Sequence, residues 1–171
     1  MNKTAIFYGS TGGNTKEAAT LIHRELGGEA VADIFDVSKL KDASAFAPYE
    51  NLILGTSTWG DGDLQDDWYD FLKEFEKADL GSKKVALFGL GDQEGFGHAY
   101  LNGMKTLHDS AKKLGATIVG AWEDEGYSYD SSEAVVNGKF VGLALDADNQ
   151  DELTPERVKN WCAELKKALS I

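Results

Sequence analysis

The sequence predicts an α/β fold: a three-layer, doubly wound parallel sheet with helices on both faces. Three observations lead there. Strand-like and helix-like runs alternate along the chain. The runs at Asn51–Thr56 and Lys84–Leu90 are dominated by apolar residues, as in strands buried on both faces. Glycine-rich loops follow the runs ending at Tyr8, Thr56 and Leu90. Alternation of this kind brings consecutive strands parallel, with each intervening helix packed back on the sheet.

Lys3–Tyr8 reads as the first strand and Thr15–Leu26 as its helix, with Ala18, Ile22 and Leu26 recurring on one face. Ala30–Asp36 is a weaker second strand, followed by an irregular segment through Pro48. Leu52, Ile53 and Leu54 make the third strand. Trp68, Phe71, Leu72 and Phe75 fall at i, i+3, i+4 and i+7, which predicts an amphipathic helix over Asp67–Phe75. Lys84–Leu90 is the fourth strand, and His98–Leu114 the next helix, ended by Gly115 at C′. Thr117–Ala121 and Lys139–Leu145 are strand-like and enclose a polar, aromatic insertion. Thr154–Leu169 closes the chain as a helix with Thr154 as N-cap and Pro155 at N1. Its inner stripe is Val158, Trp161, Cys162, Leu165 and Leu169. No repeat, low-complexity tract or linker interrupts residues 1–171, so one domain is expected.

With 171 residues and 42% apolar side chains, the chain can bury a core without disulfides or metals. The single Cys162 excludes an internal disulfide and suits a reducing cytoplasm. No apolar stretch approaches the ~20 residues of a membrane span. The N-terminal residues do not have the pattern of a signal peptide. Seventeen basic against 29 acidic residues leave a net charge of −12. That charge repels nucleic acid and anionic lipid, and favours a basic partner whose encounter slows with salt.

Ligands of such sheets bind beyond the carboxyl ends of the strands, where strand order reverses. Three loops should therefore converge. In the first, Ser10, Thr11, Gly12, Gly13, Asn14 and Thr15 stand between strand and helix. Unpaired helix amides, the positive helix end and nearby hydroxyls make an anion site, most often for phosphate. The plainer reading is a strand-to-helix turn with Ser or Thr as N-cap. The second loop runs Thr56-Ser57-Thr58-Trp59-Gly60-Asp61-Gly62-Asp63, and the third Gly89-Leu90-Gly91-Asp92-Gln93-Glu94-Gly95-Phe96-Gly97. Each centres on one large aromatic among glycines. A loop indole with few neighbours is better used for stacking on a flat ligand, worth ~0.5–1.5 kcal/mol beyond the area buried.

The segments STGGNT, TSTWGDGDLQDDW, GLGDQEGFGHAYL and DEGYSYDSSEAVVNGKFVGLALDADNQ, with the last helix, together resemble the flavodoxin family of the long-chain type from end to end. The resemblance implies a five-stranded sheet in the order 2-1-3-4-5 with an insertion in the last strand, roughly Trp122 to Gly138. It implies non-covalently bound FMN and a low-potential one-electron carrier, not an enzyme, cycling between neutral semiquinone and anionic hydroquinone. The carrier would be cytoplasmic and monomeric. Its partners would be proteins such as flavodoxin/ferredoxin-NADP reductase or other donors and acceptors, met through an acidic face, with no nucleic acid or membrane.

Carried over by position, Ser10 to Thr15 would hold the phosphate, helped by Thr58. Trp59, flanked by Ser57 and Gly60, would stack on one face of the ring. Leu90, Gly91 and Asp92 would meet its pyrimidine edge. Phe96 stands where the family usually has tyrosine, keeping the stacking but not the hydroxyl; Tyr100 falls where the following helix should bury an aromatic. Gly12 replaces a usual threonine, leaving more to the backbone amides. In the family, the peptide after the first stacking aromatic flips to offer its carbonyl to flavin N5, and a glycine at position 60 lets it do so cheaply. Asp61, Asp63, Asp66, Asp67, Asp92, Glu94, Asp124 and Glu125 should surround the ring edge without a nearby Arg or Lys.

Other signals are weaker. His23, His98 and His108 lack metal-type pairing, though His98 lies beside a flavin loop. Cys162 reads as a packed thiol, and Asp146–Glu152 as a solvated connection. A response-regulator domain would need an acidic pair ending the first strand and an aspartate ending the third. The chain has Gly9-Ser10 and Ser57-Thr58 there instead. An FMN-dependent quinone reductase-type enzyme is the alternative on the same fold, but no dinucleotide fingerprint, P-loop or nucleophile elbow occurs.

Overall fold

Neighbouring residues along each central strand point into two different cores, and this sets the architecture. The computed structural model describes residues 2–171. Its elements are β1 (Thr4–Tyr8), α1 (Asn14–Leu26), β2 (Ala32–Asp36), β3 (Asn51–Trp59), β4 (Asp63–Leu64), α2 (Asp66–Phe75), β5 (Lys84–Leu90) and α3 (Asn102–Lys113), then β6 (Thr117–Ile118), β7 (Trp122–Glu123), β8 (Val135–Val136), β9 (Lys139–Phe140), β10 (Leu143–Leu145) and α4 (Thr154–Leu169). Phe7, Leu52, Leu54, Val85, Leu87 and Ala144 pack with Trp68, Phe75, Met104 and Leu107 of α2 and α3. Ile6, Ile53, Ala86, Phe88, Leu143 and Leu145 pack with Ala18, Ile22, Val158, Trp161 and Leu165 of α1 and α4. Each fully buried Leu, Ile or Phe contributes ~1.5–3 kcal/mol, so both sheet faces must be covered.

The main sheet runs β2-β1-β3-β5-β10, all parallel, which is the predicted order. The fifth position is held by two pieces on the same edge of β5. Thr117 of β6 pairs with Lys84, and Leu143 of β10 pairs with Phe88. Between them the insertion forms its own antiparallel sheet, β7-β9-β8. Asn137 and Gly138, both at positive φ (54° and 81°), turn β8 into β9. Asn-Gly is a strong type I′ hairpin signal, so the insertion is legible as a hairpin rather than a polar loop.

Two helix starts differ from expectation. The predicted helix over His98–Leu114 begins only at Asn102, after a single 3₁₀ turn at Gly97–Ala99. The insertion claims the backbone between them: the Tyr100 amide donates to Ser131 O at 3.2 Å, and Ser132 Oγ donates to Tyr100 O. Leu101 then takes φ 60°, an uncommon conformation for a non-glycine residue. Thr154 is the first residue of α4, not its cap. Leu153 precedes it and no side-chain cap bond forms, because the 3₁₀ turn Asp151–Leu153 runs straight into the helix. Gly115 ends α3 as predicted, with its amide on Lys112 O and the Ala116 amide on Ala111 O, a Schellman motif.

Gly142 lets β10 close on β5. A Cβ there would lie 2.2 Å from the Leu87 carbonyl oxygen, a backbone atom that has no room to retreat. Gly142→Ala is expected to cost about 2–3 kcal/mol in urea unfolding of the apoprotein. Gly12→Ala, where nothing lies within 4 Å, should stay within about 0.5 kcal/mol.

Candidate functional site

Beyond the carboxyl ends of β1, β3 and β5 lies a cleft of about 350 Å³. Every predicted site residue except Gly13 lines it, and Ala147 and Asp148 complete the wall. Its two ends differ in chemistry.

At the α1 end the N-cap position holds neither Ser nor Thr. The residue before α1 is Gly13, at φ 96°, with no side-chain cap. Ser10 Oγ instead accepts from the amides of Gly13 (3.1 Å) and Lys16 (3.3 Å). The amides of Asn14 and Thr15 find no acceptor among the described residues. They open the helix with its positive end toward the cleft, an arrangement that attracts an anion. Gln65, fully buried, holds this loop from behind. Its Nε2 donates to Thr11 Oγ1 at 3.1 Å while Oε1 accepts from the Trp68 amide. Gln65 was not among the predicted site residues; an N-cap glutamine ahead of Asp66-Asp67-Trp68 is the signal that marks it.

The other end carries the aromatics. Trp59 is 48% exposed and Phe96 46%. The Trp59 indole is not free to wander, because its Nε1 donates to Ser57 Oγ at 2.8 Å. Thr58 Oγ1 accepts from the Gly103 amide at 2.9 Å, leaving its own proton to donate. After Trp59 the chain turns: the Gly62 amide donates to Trp59 O, Gly60 has φ 53°, and Asp61 keeps negative φ. Glycine with positive φ at the first central position is the type II′ pattern.

In the third loop Asp92 Oδ1 accepts from the amides of Gly95 (2.7 Å) and Glu94 (3.1 Å) and from Asn149 Nδ2 (2.8 Å). The Gly95 bond, then the Asn149 bond, hold its carboxyl below the usual range. Tyr100 is buried as expected, stacked on Tyr129, with its hydroxyl on Leu145 O. His98 takes a contact that its sequence position did not reveal: Nε2 lies 2.7 Å from Asp61 Oδ1, an exposed bridge between the two aromatic loops.

The expected acidic surround is redrawn. Of the eight carboxylates named from the sequence, Asp92 alone lines the cleft, and Asp124 is bound by the Tyr129 hydroxyl. Asp148, from the run expected to be merely solvated, lines it as well. Burial, then the charges of Asp92 and Asp146, push the Asp148 carboxyl above its ordinary value. Among the described residues no Arg or Lys lines the cleft. Asp146 is fully buried and structural, whereas Asp148, Asp151 and Glu152 of the same run are exposed, as a solvated connection requires.

Elsewhere His23 Nε2 lies 2.8 Å from Ala32 O and His108 Nδ1 lies 2.9 Å from Asp109 Oδ1. Burial pushes the Cys162 thiol to about 12, which leaves it protonated and inert. Among the described residues no helix is long and apolar enough to cross a membrane.

A doubly wound parallel sheet with an open helix N-terminus at one end of its cleft and two half-exposed aromatics at the other defines an α/β protein for a flat, phosphorylated ligand. The family model described as Flavodoxin matches residues 6–161, and the chain belongs to the flavodoxin family, whose members are electron carriers rather than enzymes. It is 47% identical to flavodoxin of Synechocystis sp., over 99% of both chains. It is 41% identical to flavodoxin 1 of Escherichia coli, over 100% of this chain and 97% of that one. The crystal structure of Fusobacterium nucleatum flavodoxin bound to flavin mononucleotide superposes with a TM-score of 0.92 at 36% identity, over 99% of each chain.

Proposed function

We propose that this chain is a cytoplasmic, monomeric, low-potential carrier that holds FMN non-covalently in the cleft. It would exchange single electrons between the neutral semiquinone and anionic hydroquinone. One observation carries the reading: the open amides of Asn14 and Thr15 and the half-exposed rings of Trp59 and Phe96 share one cleft. The donor set fits the cofactor, with amides and hydroxyls for a phosphate, aromatics for a ring, and Asp92 for a polar ring edge. The volume falls in the ordinary range for cofactor sites. The switch-point rule supports the placement, and flavodoxin's FMN site is itself an example of that rule.

FMN supplies the one-electron chemistry; the chain binds, orients and tunes it. Ser10, Thr11, Gly12, Asn14, Thr15 and Thr58 would take the phosphate, and Ser57 fixes the indole of Trp59. The Gly60 peptide would be free to turn its carbonyl toward the ring edge. The acidic surface, at −12 overall, meets basic partners such as a flavodoxin/ferredoxin-NADP reductase, with rates that fall as salt rises.

Titration of the apoprotein with FMN, followed by flavin fluorescence, tests this. One equivalent is expected to bind and to quench Trp59. Trp59→Ala should weaken binding about tenfold, since stacking and burial of one ring are lost. Protein that stays colourless in excess FMN overturns the reading.

A further inference from the structure

The insertion between β6 and β10 grips the Asp92–Gly97 loop at both ends. At one end the Ser128 amide donates to Gln93 Oε1. At the other, the amides of Asp130 and Ser131 both donate to Gly97 O at 2.9 Å. Phe96 lies between the two grips.

Gln93 is 3% exposed. Its Nε2 donates to Asp146 Oδ2 at 2.7 Å, and its backbone amide donates to the same oxygen at 3.1 Å. Asp146 is fully buried and has no cation within ion-pair distance among the described residues. Three further N–H groups share its charge: the amides of Asp148 and Asn149, and Asn149 Nδ2. Asn149 Nδ2 also reaches Asp92 Oδ1. One buried amide side chain therefore ties together the insertion, the loop carrying Asp92 and Phe96, and the segment presenting Ala147 and Asp148. The insertion is itself anchored from behind: Arg157 of α4 lies 4.2 Å over the Tyr127 ring, whose hydroxyl donates to Ala144 O at 2.6 Å.

We propose that the insertion braces the cofactor cleft and that Gln93 is the positioning residue through which it acts. This rests on the reading that FMN occupies the cleft. A loop holding Gly91, Gly95 and Gly97 has many conformations to lose on binding. Fixing it beforehand removes that ordering cost from the binding step.

Gln93→Glu keeps the size of the side chain and the acceptor for Ser128, but sets a second carboxylate against Asp146. Two buried carboxylates at that distance cannot both stay charged without a penalty. FMN affinity is expected to fall about tenfold or more. In the apoprotein, amide exchange at Gly95 and Ser128 should quicken while Lys16 and Glu17 keep their rates. Adding Asp146→Asn to Gln93→Glu exchanges the places of amide and carboxylate, and should recover a measurable part of the lost affinity. Gln93→Met, uncharged and close in volume, should lose several-fold in affinity and carries the test if Gln93→Glu does not fold. Wild-type affinity and exchange in the two single variants, or a double variant no better than Gln93→Glu, overturns the brace. Wild-type protein that binds no FMN overturns the reading of the cleft instead. The exchange rates in the apoprotein then still decide whether Gln93 orders the loop.

Discussion

Gly60→Val is expected to abolish most of the blue semiquinone that accumulates on partial reduction, while Gly60→Ala retains an intermediate yield. A Cβ at position 60 meets nothing closer than Asp63 Oδ2 at 3.6 Å, so space is not the obstacle. Dihedral angle is. The residue already sits at φ 53° at the tip of the β3–β4 hairpin, where a β-branched side chain is a genuine outlier. Strain of this kind costs of order 1–3 kcal/mol. About 1.4 kcal/mol corresponds to ~59 mV for a one-electron step. Only the part of that strain added when the peptide turns lowers the first reduction potential, so the drop in the valine variant should be at most about 100 mV, measured by spectroelectrochemistry. An unchanged semiquinone yield would sink the peptide-flip account while leaving FMN binding intact.

Asp148→Asn is expected to raise the second potential more than any of the eight carboxylates named from the sequence except Asp92. On the proposed function a second electron would make bound FMN anionic, and among the described residues the cleft offers no Arg or Lys to receive that charge. Like charges at ~4 Å cost ~1 kcal/mol in water and ~4 kcal/mol at an effective dielectric of 20. For a carboxylate on the cleft wall the shift should be at least of order 40 mV upward. Asp148 already bears a penalty as an anion, from burial and from Asp92 and Asp146. That penalty declines once the carboxyl is protonated, so the wild-type second potential should rise in mild acid more steeply than that of Asp148→Asn. Equal potentials in the two proteins at neutral pH would remove local charge as the cause of a low value.

The parts of this molecule that follow from local chemistry were legible in advance. The strand pattern of Leu52-Ile53-Leu54, the helix stripe from Trp68 to Phe75 and the glycine loop after Tyr8 depend on near neighbours in the chain. So does the exposure of Trp59 and Phe96, since a ring among glycines has little to pack on. What escaped depends on partners far along the sequence. Tyr100 leaves the helix because Ser131 and Ser132 claim its backbone. Asp148 reaches the cleft because Asp146 bends its loop around two amides. Gln93 meets Ser128 across 35 residues, and no periodicity announces such a pair. Thr154 looked like a cap because Pro155 follows it, yet the preceding turn had already been wound.

The split fifth strand has a consequence for how this architecture tolerates change. Both pieces hang from a single edge of β5, so the chain departs and returns almost at the same place. Closing a longer or shorter detour there costs only ~0.6 kcal/mol per doubling of length. Sheet continuity is thus decoupled from whatever is spliced in, and that edge is a natural grafting point. A replacement segment would leave the core under α1 and α4 largely intact, but would have to resupply the buried Ala134 and Phe140 and the ring of Tyr129 on Tyr100, as well as the clasp on Gln93 and Gly97.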